Sequence, residues 1–322
     1  MKLRAAGLLD LARIEELHRA AENHPNEGSV PAARLWSLIS STLSALLPLS
    51  QETLLYVADE GGKVVGFIQA SGKPLGLDLP RATVMQVLNL QVVDSSESED
   101  IAAALVEHLS NQALQRGAHR LFVRLPDRDA LLPVFRLRGF RQYATEQILF
   151  ADSVRRGITP APEGARQIKR GDARSLYQLY RKVTPGHVAQ LEAPTYREWR
   201  ALHGEWTGRL RARGSSSEEL VIDRVELAGW VKAEPSSGAQ PHTLSFLALP
   251  ESPLPEEIAD LGLSLLTDTE TPVWSSLRHY DSHMIDALRG RGFSVLLTQL
   301  LLVKELALQV PVAEKGLVPS FG

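Results

Sequence analysis

The chain has 322 residues, about twice the length of a typical domain, which predicts two domains of roughly 150 residues each. Its 44% hydrophobic and 23% charged residues are ordinary for a soluble globular protein. A net charge of −3 gives no basic surface for nucleic acid, and the absence of cysteine excludes disulfides, thiolate metal sites and a cysteine nucleophile.

The N-terminal residues carry charges that interrupt any apolar stretch. Lys2 and Arg4 are followed by Asp10 and Arg13, so no signal peptide is predicted. The longest apolar runs have the length of a strand, and none approaches the ~18 residues that a membrane span needs. We therefore predict a cytoplasmic protein that has neither a membrane nor a nucleic acid as its partner.

In chain order, the first half predicts a strand, two helices, three antiparallel strands, a helix, a strand, a helix and a closing strand. Gly61-Gly62 between two apolar runs is typical of a hairpin turn. Strands interrupted by helices indicate an α/β (α+β) fold with a mixed sheet covered on both faces. The predicted elements are residues 2–5, 8–21, 35–47, 54–58, 64–70, 83–93, 101–116, 120–125, 131–138 and 140–150.

The second half predicts the same order of elements. Between the halves, residues 153–165 contain two prolines and two glycines and are predicted to form a linker. The predicted strands are 166–168, 220–222, 228–233, 242–249, 273–276 and 296–303, and the predicted helices are 173–182, 196–202, 258–266 and 283–289. The domain prediction is therefore 1–152, linker 153–165, 166–308 and a tail, 309–322.

Three short patterns occur in both halves in the same order. They pair residues 66–70 with 229–233, 138–140 with 291–293, and the helix pattern that follows Asp10 with the one that follows Asp172. Offsets of 153–163 residues are far too long for a solenoid repeat. The repeats therefore indicate that a whole domain is duplicated.

This order of elements, with a glycine-aromatic pair in the third strand and Arg-Gly-Phe before the last strand, resembles the GNAT-type N-acetyltransferases. The resemblance implies two tandem GNAT-like domains of the acyl-CoA N-acyltransferase fold, packed as an internal pseudo-dimer that needs no second chain. It also implies acetyl-CoA or another acyl-CoA as cofactor, and the amine of a small molecule or peptide as acceptor. In this family the pantetheine arm lies where the fourth and fifth strands separate, and the pyrophosphate binds the N-terminus of the following helix.

Carried over to this chain, the resemblance places the cofactor on the first half. The fourth strand contributes backbone groups and the following helix contributes amide donors. The implied cofactor-binding residues are Leu90, Gln91, Val92, Ser98, Ile101 and Ala102.

The loop before that helix departs from the family motif. Its Arg/Gln and glycine positions are Glu97 and Asp100, and only Ala102 fits the closing position. A like charge about 4 Å away costs ~1 kcal/mol in water and ~4 kcal/mol at a partly screened site, so these acids oppose a pyrophosphate. Ser96 followed by Glu99 has the spacing of a capping box, and we expect structural capping in preference to cofactor binding.

The corresponding loop of the second half, residues 251–258, departs further. It has no glycine and two prolines, which lack the amide donors that an anion needs. Ser252 followed by Pro253 is interpreted as a capping serine with proline at the first helical position. Of the two halves, the first is the better candidate for binding the cofactor.

No catalytic residue is assigned, because the positions implied by the family lack suitable side chains. The general-acid tyrosine corresponds to Phe135 and Leu288, the asparagine to Arg128 and Asp281, and the fourth-strand carboxylate to Asn89, Gln91 and Ser245. Two functions follow as hypotheses. One is a divergent N-acyltransferase, and the alternative is a catalytically silent GNAT-fold module that binds a small ligand or a protein partner, with a closed gap between the fourth and fifth strands.

Two other groups of residues have alternative interpretations. His279 and His283 are four residues apart, but Tyr280 stands where a zinc-protease motif needs glutamate, so no metal site is predicted. The segment 184–192, together with Tyr196 and Trp199, either lines an acceptor pocket or packs in the core. Packing is slightly favoured for the two aromatic residues because they are three apart.

Overall fold

The structure, a computed structural model, describes residues 1–23, 52–72, 83–154, 161–203, 217–235, 241–266 and 270–306. The predicted helix at 35–47 and the predicted tail at 309–322 lie outside the described residues. The strands are β1 Lys2–Ala5, β2 Glu52–Glu60, β3 Lys63–Gly72, β4 Val84–Val92, β5 Arg120–Pro126, β6 Arg141–Ala151, β7 Ala165–Gln167, β8 Glu218–Asp223, β9 Leu227–Glu234, β10 His242–Ala248, β11 Val273–Arg278 and β12 Ser294–Glu305.

The helices fall largely where the periodicity predicts them. They are α1 Leu11–Asn23, α2 Ser98–Gln115, α3 Leu132–Leu137, α4 Ala173–Val183, α5 Gly186–Glu192, α6 Tyr196–His203, α7 Leu254–Ser264 and α8 Ser282–Arg289. The short helix α5 was not predicted, since its Pro185-Gly186 start is typical of a turn. Helix α7 begins four residues before the predicted start, because Pro255 is tolerated in its first turn.

All twelve strands form one mixed sheet in the order β1-β2-β3-β4-β5-β12-β6-β11-β10-β9-β8-β7. The last strands of the two halves are exchanged. β12 inserts between β5 and β6, and β6 pairs on its other side with β11. The tandem GNAT-like architecture is therefore a single continuous sheet, in which the fifth strand of each half is completed by the last strand of the other half.

A local two-fold relationship passes through the centre of this sheet. The repeated Arg-Gly-Phe patterns immediately precede β6 and β12 and are 153 residues apart in the sequence. Glu146 and Gln299 are also 153 residues apart, so they occupy equivalent positions of the two halves. The two residues are also paired with each other in the antiparallel register of β6 and β12. The junction thus has the geometry of a two-fold interface between the two halves.

The aspartate repeat forms the same charged cluster in both halves. Arg4 binds Asp10 at 2.6 Å and Asp59 at 2.8 Å, which ties β1 to the start of the first helix and to β2. In the second half Arg166 binds Asp172 at 2.7 Å and Asp223 at 2.6 Å. These repeated residues therefore stabilise the scaffold.

The repeated glycines are also explained by the fold. Gly139 and Gly292 have φ values of 85° and 91°, a left-handed conformation that side chains disfavour. A Cβ on Gly66 would lie 3.0 Å from the Gln91 carbonyl oxygen, and one on Gly229 would lie 3.0 Å from the Ile258 side chain. The glycines allow the sharp turn before each last strand and the close approach of each third strand to its neighbours.

The sheet is covered on both faces. On one face, α2 and α3 pack on the first half and α7 and α8 pack on the second. On the other face, α1 packs against β3, and α4 and α6 pack against β8 and β9. No helix in the described parts of the chain is long and apolar enough to cross a lipid bilayer.

Candidate functional site

The fourth and fifth strands separate in both halves. β4 pairs with β5 only from Val84–Arg120 to Gln86–Phe122, although β4 continues through residues 87–92. In the second half β10 pairs with β11 only from His242–Val273 to Leu244–Ser275. Beyond these pairs one edge of β4 and one edge of β10 pair with no strand in the described part of the chain, so the fourth and fifth strands are separated there in both halves.

In the first half the predicted binding residues are brought together at this gap. Leu90, Ile101 and Ala102 are buried in one hydrophobic cluster that joins β4 to the first turns of α2. Gln91, Val92 and Ser98 are half-buried beside them. The side chains fix the helix on the strand, while the unpaired edge of β4 remains available through its backbone groups.

The N-terminus of α2 differs from the predicted capping box. The helix begins at Ser98 with Glu97 as its N-cap, and no side chain caps it. Ser96 lies one residue before the cap, so the prediction that it forms a box with Glu99 is wrong. Ser95 lies before the N-cap, and its Oγ accepts a hydrogen bond from the Glu97 N–H at 3.3 Å. The first-turn amides are therefore left without a capping side chain.

The N-terminus of α7 is built differently. Pro253 is its N-cap and Pro255 lies in its first turn, so the predicted capping role of Ser252 is also wrong. Each proline removes one amide donor. Nearby, Arg224 binds the Glu257 carboxylate at 2.6 Å, so protein groups already occupy this end of the helix.

The gap of the second half opens into a cavity of about 310 Å³. Residues of β10 and β11 beyond their paired segment line it, including Ser245, Phe246 and Leu277. The other walls come from α4, α5 and the last strands, and they include Glu146 of β6. The cavity is therefore composite, because the first half contributes a wall through the exchanged strand.

A cluster of charged and phenolic groups lies in this cavity. The Arg278 guanidinium binds Glu192 at 2.9 Å and lies 3.6 Å from Glu146, which is directly opposite it in the β6–β11 register. The Tyr143 hydroxyl donates to Glu192 at 2.8 Å, and the Tyr180 hydroxyl donates to the other Glu192 oxygen at 3.4 Å. Glu192 is thus held by three partners.

The surroundings shift the pKa values of these groups. Burial raises the pKa of Asp281 to about 7, even though its carboxylate accepts from the Arg278 backbone N–H. Burial also acts to raise the pKa of Glu146, but Arg124 and Arg278 outweigh it and hold that pKa below its usual value. Burial and then Glu192 raise the pKa of Tyr143 well above that of a free tyrosine. At neutral pH Glu146 is ionised and Asp281 is close to half protonated.

The sequence identified part of this cluster. Thr184 and Glu192 of segment 184–192 line the cavity, while the interpretation that this segment lines an acceptor pocket stays a prediction. Tyr196 and Trp199 instead pack in an aromatic cluster, 6.2 Å apart between ring centres, as the favoured interpretation of these two residues has it. Glu146 was missed, because its neighbours depend on a strand pairing between the halves that leaves no local pattern.

The positions implied by the family for acid catalysis hold apolar core residues. Phe135 and Leu288 are fully buried in the two cores. His279 precedes α8 and contacts Thr145, so it does not share a helical face with His283. Within the described ranges no three histidine, aspartate or glutamate side chains are grouped closely enough to hold a metal ion.

One family model matches a stretch of the first half. Residues 12–140 match the model of the Acetyltransferase (GNAT) family, a stretch that contains the gap, α2 and the first Arg-Gly-Phe pattern. None of the curated protein sequences compared with the chain matches it.

Solved structures are similar over both halves. A tandem GNAT protein from the clavulanic acid biosynthesis pathway is 16% identical with a TM-score of 0.57, over 95% of this chain and 99% of that one. A GCN5-related N-acetyltransferase from Sphaerobacter thermophilus has the same identity and TM-score, over 95% and 96% of the two chains. One from Anabaena variabilis is 10% identical with a TM-score of 0.52, over 95% and 73%. At these identities the likeness shows a fold shared along nearly the whole chain.

Proposed function

Because this chain is a tandem GNAT-fold protein whose residues 12–140 match the Acetyltransferase (GNAT) family, we propose that it transfers an acyl group from acyl-CoA to an amine. The donor site is assigned to the first half, at the gap between β4 and β5. The observation that carries this assignment is the edge of β4 over residues 87–92, which pairs with no strand among the described residues and lies beside a helix N-terminus with no capping side chain.

The residues of the first half fit a coenzyme A molecule in two respects. Pantetheine is a chain of amides, and the free edge of β4 offers backbone groups that can pair with them. The pyrophosphate is an anion, and the first-turn amides of α2 are donors at the positive end of a helix dipole. Leu90, Ile101 and Ala102 pack together in the core and thereby fix the β4 edge relative to the first turn of α2.

One feature of the loop weakens this fit. Glu97, Glu99 and Asp100 are exposed at the N-terminus of α2 and repel a pyrophosphate. Each exposed charge at about 4 Å costs ~1 kcal/mol in water, equivalent to roughly a fivefold loss of affinity. We therefore expect binding that is weak, salt-dependent and improved by neutralising an acid.

The proposed reaction is the attack of an amine on a thioester. Acyl-CoA supplies a thioester carbonyl that is already activated toward attack by an amine. The chain orients the donor through β4 and α2. As the amine nitrogen bonds to the carbonyl carbon, the carbon–sulfur bond breaks and coenzyme A leaves as its thiolate, while the amine loses its proton to water, since no described side chain at the first gap is assigned as a base. The gain in rate comes from positioning, for which ordered intramolecular reactions provide large effective concentrations.

Titration calorimetry with acetyl-CoA tests the donor site through a matched pair of variants. Glu99→Ala removes the acid and keeps the amide, while Glu99→Pro removes both at a position where the second half already has Pro255. We expect Glu99→Ala to bind about fivefold more tightly than the unmodified chain. Glu99→Pro should bind roughly tenfold or more weakly than Glu99→Ala, because a hydrogen bond to a charged group contributes ~1.5–3 kcal/mol.

The same experiment separates the two functions. If neither the unmodified chain nor Glu99→Ala binds acetyl-CoA, the acyltransferase hypothesis is contradicted and the catalytically silent module is favoured. Equal affinity in the two variants would place the pyrophosphate elsewhere. Circular dichroism and thermal unfolding should show that both variants remain folded.

A further inference from the structure

The cavity of the second half contains buried polar atoms without partners. Glu146 is only 3% exposed, and its Oε2 makes no hydrogen bond to any described residue. The Nη1 of Arg278 and the indole Nε1 of Trp274 are likewise without hydrogen-bond partners in the described part of the chain. An unsatisfied buried polar group costs about 1–3 kcal/mol, and more when charged, so three in one cavity need an explanation.

The ion pair that lines the cavity is not required by the sheet. Arg278 faces Glu146 across β11 and β6. At the equivalent place in the other half, Pro126 faces Gln299 across β5 and β12. Since the sheet continues there without any charge, the charged pair serves the cavity of the second half and not the exchange of strands.

Asp281 lines the cavity and, with a pKa raised by burial to about 7, is partly ionised at neutral pH, whereas the other charges around the cavity are balanced. Glu146 and Glu192 oppose Arg124 and Arg278, and Glu234 is neutralised by Lys232 at 2.7 Å. Glu192 is already bound by Arg278, Tyr143 and Tyr180, which leaves Glu146 as the carboxylate with a free acceptor. A ligand with a net charge would upset this balance in a poorly solvated site, whereas a ligand with one charge of each sign preserves it.

The rest of the lining is apolar. Ile148, Phe246, Trp274 and Leu277 contribute hydrocarbon or aromatic surface to the same cavity. A volume of about 310 Å³ lies at the small end of the ~300–1,000 Å³ typical of ligand pockets. This space suits a small molecule with one apolar substituent.

We propose that this cavity binds a small zwitterionic amino compound with an apolar side chain, such as an α-amino acid. Its ammonium group donates to Glu146 and its carboxylate accepts from Arg278. The Trp274 indole N–H supplies a further donor to the carboxylate. The site is separate from the donor site of the first half, and its occupation does not depend on acyl-CoA.

The test is calorimetry on the full chain with a panel of L-amino acids carrying alanine, valine, leucine, methionine and phenylalanine side chains. For the member that binds most tightly, two analogues are compared, one lacking the carboxylate and one lacking the amine. For leucine these are 3-methylbutylamine and 4-methylpentanoate. We expect the zwitterion to bind at least tenfold more tightly than either analogue.

Two variants connect the binding to the cavity. Glu146→Gln keeps the size of the side chain and removes its charge, and the equivalent position of the other half already holds a glutamine, Gln299. This variant should weaken binding at least tenfold. Ser245→Phe leaves every charge in place and fills the cavity from β10, and should abolish binding over the tested range. Arg141→Ala, which removes an exposed ion pair with Glu305 on the same strand β6, is the control and should leave amino-acid binding unchanged.

Several results would overturn the proposal. These are no binding by any panel member at millimolar concentration, an analogue with one charge that binds as tightly as the zwitterion, or full binding by both cavity variants. Acetyl-CoA titrations of the same samples are read separately. Amino-acid binding without acetyl-CoA binding would contradict the proposed function alone, and the reverse would contradict this site alone.

Discussion

Glu146 and Gln299 lie directly opposite each other on β6 and β12, at equivalent positions of the two halves, and both are almost fully buried. One of the two is charged and the other is not, so the centre of a nearly symmetric sheet is chemically asymmetric. The carboxylate belongs to a cavity in the second half, while the first half has the stronger candidate for a donor site. The two halves share a scaffold and differ in their sites.

Restoring the symmetry should destabilise the protein. Gln299→Glu places a second carboxylate opposite Glu146, where Pro126 on the other side offers no positive charge. We expect a loss of about 3 kcal/mol in the free energy of unfolding at pH 8, since an uncompensated buried charge costs ~3–5 kcal/mol. Urea unfolding at pH 8 and pH 5 measures this, and the loss should shrink at the lower pH as one carboxylate is protonated.

The turn glycines should be intolerant of side chains. Gly139→Ala and Gly292→Ala place an L side chain in the left-handed region, at a cost of about 1–2 kcal/mol each. Gly171→Ala is a matched control, because that glycine has no positive φ and its Cβ would meet no atom within 4 Å. If all three variants lower the melting temperature equally, backbone conformation does not explain why Gly139 and Gly292 recur in both halves.

Arg120 links the first half to two helices of the second. Its guanidinium donates to the carbonyl oxygens of Gln190 and Leu191 and binds Glu198, with both charged side chains about 12% exposed. Arg120→Ala leaves the buried Glu198 carboxylate with its hydrogen bonds from Thr195 but without its cationic partner, and should lower the free energy of unfolding by about 3–5 kcal/mol.

Arg141→Ala is the control for that experiment. Its pair with Glu305 is exposed on both sides, at 56% and 59%, so the loss should be under ~1 kcal/mol. Chemical denaturation of the two variants side by side gives the comparison. A similar small loss for both would show that Arg120 does not hold the halves together.

Asp281 should give the protein a specific pH dependence. Burial raises its pKa to about 7, above the value in the unfolded chain, so the folded state binds this proton more tightly. Its stabilising contribution is fully present below about pH 4 and is lost as the pH rises through about 7. Over that window the expected slope is at most ~1.4 kcal/mol per pH unit.

Asp281→Asn isolates this contribution. Asparagine keeps an oxygen for the Arg278 backbone N–H and cannot ionise. Between pH 5 and pH 8 the unmodified chain should lose unfolding free energy relative to the variant, as measured by urea denaturation across the range. Parallel curves for the two proteins would mean that Asp281 has an ordinary pKa in the folded state.

The sequence was sufficient for the order of the described strands and for the duplication, whereas the short helix α5 was missed. Periodicity and turn residues located the strands, and the paired glycines and aspartates marked places where backbone conformation or a charged cluster is needed in both halves. These are local requirements, so they leave local patterns. The limits of the domains and the linker at 153–165 remain predictions.

The exchange of β6 and β12 and the Glu146–Arg278 pair could not be predicted in this way. Each depends on contacts between residues more than 100 positions apart, which leave no local pattern in the sequence. The capping-box prediction failed because a shift of the helix start by one or two residues changes which side chain is the N-cap. That shift also frees the amides of α2, which is the feature that favours a donor site.

Hydrogen–deuterium exchange of the full chain with and without acetyl-CoA tests the donor site in the first half most directly, because it reports on each strand edge separately. Acetyl-CoA should slow exchange of amides in residues 87–92 and 97–102, with no change in residues 244–257 of the second half. Protection confined to the second half, or no protection in either half at millimolar acetyl-CoA, would contradict it.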